Sequence, residues 1–189
     1  MEYTMEEKYI RIKADLLKCT SKNPVHVAKE IMAKDYINMH GPEHHFLDGG
    51  AFIVAYKNAG GEIDLDYALD SLAKRTIKMP AGMCGGWGVC GAVTGVGAAL
   101  SVINRITPVT SGDMYGENMA HTSGAVIEMS KIGGPRCCKR NAYITLTNGA
   151  HFVNQKYGIK MEYGDIGCEY SSKNPQCIKH RCPFFKGQK

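Results

Sequence analysis

Seven of the eight cysteines in this chain of 189 residues fall in three short groups that could do chemistry. The first, Cys84 and Cys90, lies in MPAGMCGGWGVCGAVTGVGAALSVIN, from Met79 to Asn104, which has no charged residue, seven glycines and the single tryptophan. Glycines let backbone amides approach and donate to sulfur, as cluster sites require, so Gly85 and Gly86 are expected cofactor-binding positions beside Cys84. Cys90 is either its partner or the first packed side chain of the helix that follows. The second group is Arg136-Cys137-Cys138, where a basic side chain, Lys139 and helix-start amides would lower a thiol pKa. Adjacent helical residues point about 100° apart, which predicts one of these thiols facing a site and the other the core. The third is Cys168, Cys177 and Cys182-Pro183 in a polar run at the C-terminal end. With His180 it could bind zinc or supply cluster ligands, although its spacings match neither a ferredoxin nor a zinc finger.

Histidines form a further feature. Met39-His40-Gly41-Pro42-Glu43-His44-His45 places His44 and His45 in the first turn of a helix. The positive end of a helix keeps imidazole neutral, fit for a base or a metal ligand, and Glu43 could orient one ring. These three are the candidate catalytic residues. His121 and His151 are expected to be packing residues.

Composition narrows the class. The chain is 44% hydrophobic and 22% charged, ordinary for a globular protein with a real core. Its net charge of +5 comes without a long basic run or an aromatic-rich basic motif, so nucleic acid is not indicated. The N-terminal MEYTMEEKYIRIKADLLK lacks the apolar core of a signal peptide, which points to a cytoplasmic protein with reduced cysteines. Cysteines there indicate metal, iron–sulfur or redox chemistry rather than a disulfide scaffold. The uncharged central stretch is long enough to raise a membrane span, but its glycine-rich half is poorly lipophilic, and no membrane association is expected. No G-x-G-x-x-G or P-loop motif points to a nucleotide.

The positioning elements read as helices. Apolar spacing predicts one over Glu6 to Cys19. A second opens at Asn23-Pro24 and runs past Met32 towards Tyr36, and a third follows Pro42 to Tyr56. Asp64 caps a fourth, ending near Ile77, and a glycine loop then leads into a helix after Gly88. Glu117 to Lys131 is helical, and Pro135 opens a last helix in which Tyr143 to Thr147 is the one ambiguous strand-like run. The expected fold is all-α, about seven helices in one domain over residues 1–166, with a cysteine-rich, coil-like tail over 167–189 packed on it. Gly91 and Gly95, with Ala98 and Ala99, leave a smooth face for close packing within the chain or in a homodimer.

The histidine motif, Cys84-Gly-Gly-Trp-Gly-Val-Cys-Gly-Ala, Pro135-Arg-Cys-Cys-Lys-Arg and the cysteine-terminated tail together resemble an uncharacterised domain family of anaerobic bacteria and archaea, domain of unknown function 5714. The resemblance runs from about Pro24 to Phe184 and implies no established activity. More remotely, Cys90-Gly-Ala-Val-Thr-Gly-Val-Gly-Ala-Ala-Leu looks like the glycine-rich helix of the C-GCAxxG-C-C probable redox proteins. Pro80-Ala-Gly-Met-Cys84-Gly and Cys138-Lys-Arg-Asn-Ala142 look like cluster-binding segments of the iron–sulfur L-serine dehydratases, whose full substrate motifs and length this chain lacks. Those likenesses imply a 4Fe–4S cluster held by Cys84 or Cys90, Cys137 or Cys138, and tail cysteines among Cys168, Cys177 and Cys182, with redox or lyase or desulfidase-like chemistry. A small-molecule substrate or an electron-transfer partner would follow. The alternatives are a metal-free thiol/disulfide redox protein and a non-enzymatic module stabilised by zinc.

Overall fold

The computed structural model describes residues 3–187, and over them the chain is all-α. Its axis is α3 (Glu43–Asn58), in which every residue from Glu43 to Tyr56 is buried. A helix hydrophobic all round must be wrapped on every side. Around it pack α1 (Met5–Leu16), α2 (Pro24–Met32), α4 (Leu65–Thr76), α6 (Gly91–Ile103) and α8 (Cys138–Tyr157). The short α5 (Met83–Gly86) sits in the glycine loop, and α7 (Asp113–Ile132) covers α6 and α8 from outside.

Local chemistry explains the helix starts. Thr4 and Glu7 form a reciprocal capping box on α1, Asn23 caps α2 with Pro24 at its first position, and Asp64 caps α4 through the Tyr67 amide. Several boundaries differ from the sequence expectation. Helix α1 stops at Leu16 and α2 at Met32, so Tyr36 belongs to the turn leading to His40. Helix α7 begins four residues before Glu117, at Asp113. Pro135 lies ahead of α8, whose N-cap is Cys137, and Tyr143 to Thr147 is helical because α8 packs its apolar positions against α2, α3 and α6.

The smooth face of α6 is used inside the chain. A Cβ on Gly91 would strike the His45 ring, and one on Gly95 the His45 carbonyl oxygen. One on Gly49 of α3 would come within 2.5 Å of the Gly95 oxygen, so the two backbones cross where neither tolerates a side chain. That crossing sets His45 and Asp48 beside the start of α6.

Beyond α8 the chain runs as coil from Gly158, which is left-handed at φ 68°. Among the described residues the tail's regular structure is one bridge between Cys168 and Phe185 and a single 3-10 turn, Lys179–Arg181. Phe184 meets the Tyr143 ring edge-on at 5.4 Å, and Lys29 of α2 bonds the Gly167 carbonyl and pairs with Glu169. Among the described residues no helix is long and apolar enough to cross a membrane.

Candidate functional site

Cys84 on α5, Cys90 at the N-cap of α6 and Cys138 at the first position of α8 line one cavity of about 230 Å³. His40, His44, His45, Asp48 and Arg136 share its wall. A second cavity, on the α7 side, again meets Cys84, Cys90 and Arg136, so the Cys84–Cys90 loop is exposed on two faces.

The donors around the sulfurs are specific. Asn141 Nδ2 donates to Cys90 Sγ at 3.2 Å, joined by the Ala92 amide. The Gly41 amide donates to Cys138. Even so, burial pushes the Cys90 thiol up and the Cys138 thiol up to about 12, outweighing those amides. This corrects the expectation of a lowered thiol pKa at the start of α8: desolvation of a thiolate there exceeds what helix amides and Lys139 return. Gly85 and Gly86 depart from their expected role too, since both amides bond back to the Gly82 carbonyl, at 3.0 and 3.1 Å, and close the α5 turn.

Lys139 organises the histidines. Its ammonium donates to Asn38 O at 2.8 Å, Met39 O at 2.9 Å and His44 Nε2 at 3.1 Å, matching its three protons to three acceptors. His44 Nε2 also lies 3.0 Å from the Asn38 carbonyl oxygen, so it sits between the ammonium and an acceptor, while its Nδ1 is buried without a partner. Burial and Lys139 push His44 down to about 3, and burial also lowers His45. Asp48 is fully buried, neither carboxyl oxygen has a partner, and burial raises its pKa well above the ordinary carboxylate value against the pull of Lys139. The cavity therefore combines neutral imidazoles with a carboxyl that favours its protonated form.

Glu43 has other partners than a histidine ring: it accepts from the Asn38 amide at 2.9 Å and faces Lys8 across a buried 3.5 Å ion pair. His40 meets the start of α8. Its Nδ1 accepts from the Cys138 amide at 3.4 Å, which leaves Nε2–H to donate to Asn174 Oδ1 at 3.3 Å.

Cys137 turns away from its neighbour. It lines a separate hollow of about 20 Å³ with Cys168, Cys177 and Cys182, so the cysteines expected at one centre divide into a group of three and a group of four. Among the described residues no three or more His, Cys, Asp or Glu side chains stand grouped so as to hold a metal ion, and all eight thiols are free.

Asp48, Lys139 and Asn141 are the participants sequence reasoning missed or undervalued. Asp48 left a signal, a lone acid inside the apolar run HHFLDGGAFIVAY. A charge there must face a cavity, a partner or great cost.

Fold and site together define an all-α protein with a cysteine-lined, partly buried cavity. The chain belongs to the family of unknown function DUF5714, whose model matches residues 12–185. No curated protein and no solved structure matches it.

Proposed function

We propose that the cavity binds an iron–sulfur cluster through Cys84, Cys90 and Cys138 and acts on a small molecule, by redox or by lyase or desulfidase-like chemistry. The observation that carries this is the convergence of three thiols from three separate elements on a cavity that also holds an unpartnered, buried carboxyl. Three thiolates on a cubane leave one iron open as a Lewis acid.

The chain's own residues fit that role. A cavity of about 230 Å³ has room for a small ligand, and the exposed Arg136 at its edge favours an anionic one. His45, kept neutral by burial, is suited to accept a proton, and Asp48, which favours its protonated form, is suited to return one. Both readings need thiolates, and burial raises the cost of forming them at Cys90 and Cys138.

Protein purified under argon should be brown and carry iron and sulfide in near-equal amounts. Colourless protein that takes up no iron on anaerobic reconstitution overturns the proposal. A thiol count that instead changes reversibly with mild oxidant establishes the thiol/disulfide alternative.

A further inference from the structure

The hollow under the tail is unlike the cavity in size, in ligand set and in the donors around its sulfurs. We infer that Cys137, Cys168, Cys177 and Cys182 form a second, closed metal site, a four-thiolate centre that clamps the C-terminal tail to the start of α8.

Four thiols from the α8 N-cap and three turns of the tail line this one hollow. Each sulfur meets a backbone amide. Cys137 accepts from Arg140 N at 3.5 Å, Cys168 from Tyr170 N at 3.4 Å and Cys177 from Lys179 N at 3.4 Å, while Cys182 accepts from the Phe184 amide. For the three tail cysteines the donor is the residue two positions on. A neutral thiol is a weak acceptor, and an amide aimed at it gains little. The same amide aimed at a thiolate makes a charge-assisted bond and lowers the cost of four anionic sulfurs around one metal. Asn174, itself buried, adds its side-chain amide to Cys137 at 3.7 Å.

The size of the hollow assigns its role. About 20 Å³ admits no substrate, and four protein thiolates fill the four positions of one tetrahedral ion, leaving none open. The four sulfurs line the hollow but do not stand grouped as around a bound ion, so loading requires them to draw together. Binding displaces four thiol protons, one from each cysteine. Four soft thiolates around so small a hollow suit zinc, and a 4Fe–4S cluster would require the hollow to widen. The site adjoins the cavity through the Cys137–Cys138 peptide and through His40, which accepts from the Cys138 amide and donates to Asn174.

This inference does not rest on the cavity holding a cluster, and its test separates the two. The full chain, reduced and metal-free, is loaded with zinc alone or with ferrous iron and sulfide under argon. It is then alkylated, digested and mapped by mass spectrometry, with metal and sulfide measured in parallel. Either loading should protect Cys137, Cys168, Cys177 and Cys182 together. Zinc uptake without gain from iron and sulfide identifies an ion, and stoichiometric iron and sulfide identify a cluster. Loading should also slow tryptic cleavage after Lys173, Lys179 and Arg181 at least tenfold, and chelator should restore it. A Cys177→Ser/Cys182→Ser variant should lose that protection while its helical circular dichroism and the state of Cys84, Cys90 and Cys138 stay as in the parent. Equal alkylation of the four thiols with and without metal overturns the inference, as does a freshly isolated chain with disulfides among these four. Protection of the tail thiols in a chain whose cavity takes up no iron leaves this inference standing and removes the cavity proposal.

Discussion

Two neighbouring cysteines, Cys137 and Cys138, enter two environments built on different physical terms. Cys138 joins a cavity whose walls come from helices crossing at glycines, with room for a small molecule and with buried polar atoms lacking partners. Cys137 joins a hollow whose walls are mostly tail, with no room for a ligand and an amide on every sulfur. The cavity is framed by close-crossing helices and holds unpartnered polar atoms, and the hollow is framed mostly by coil with a donor on every sulfur. Unpaired buried groups cost stability and persist where they act on something, whereas satisfied ligands serve to hold.

The sharpest way to break this comparison is to exchange the neighbours one at a time. Cys138→Ser should lower cavity-bound iron, and any turnover that depends on it, more than tenfold, and leave the tail resistant to trypsin. Cys137→Ser should release the tail and leave the cavity metal in place. One shared phenotype would mean a single centre.

Packing gives the next test. Gly95→Ala drives a Cβ into the His45 carbonyl, a backbone atom that cannot move alone, and should cost about 3 kcal/mol by denaturant melt. Gly167→Ala first meets the end of the flexible Lys186 side chain and should stay within about 0.5 kcal/mol of the parent. Equal losses would show the tail to be as tightly packed as the crossing.

Acid probes the cavity alone. His44 is held down at about 3, so as pH falls below the ordinary imidazole value the unfolded chain takes up a proton that the native chain refuses. Native stability in the metal-free protein should therefore fall from about pH 6.5 towards pH 3. Asp48 contributes with the opposite sign, because its folded pKa is raised and its share is lost as pH rises, so the comparison must be between variants. His44→Gln should lose less stability than the parent across that window, by up to about 5 kcal/mol, and Cys177→Ser should match the parent's slope. A parent and His44→Gln with identical pH profiles would show that His44 titrates freely.

The smallest effect concerns single donors. Asn141→Leu removes the 3.2 Å amide contact to Cys90 and should slow alkylation of that thiol at fixed pH about fivefold. Asn174→Leu removes a 3.7 Å contact to Cys137, beside the closer Arg140 amide, and should change that thiol's rate by less than about twofold. The reverse order would put the tail sulfurs in greater need of side-chain donors than the cavity's.

Local signals carried much of this into the sequence. The caps at Asn23 and Asp64, the start of α3 after Pro42, the position of Cys90 at the head of α6 and the coil-like tail were all legible, because caps and apolar spacing act over a few residues. The α7 start was not, since few of its side chains are buried and its periodicity is faint. Pro135 gave a helix-start signal that Cys137, two residues on, took over as N-cap. Gly91 and Gly95 read as a surface for close packing, but which surface met them lay with α3, fifty residues upstream.

By itself, then, the sequence determined an all-α chain with seven cysteines in three groups, a histidine pair at a helix start and a glycine-rich turn between them. Those are matters of local propensity and residue chemistry. Only the tertiary structure decided that the three groups line two hollows, that Asp48 faces the cavity while Lys139 bonds its His44, and that Glu43 turns to Lys8 instead. The physical reason is direction. Spacing places a side chain on a helix, but its facing depends on the close crossing of α3 and α6 and on the amides the tail brings to the start of α8.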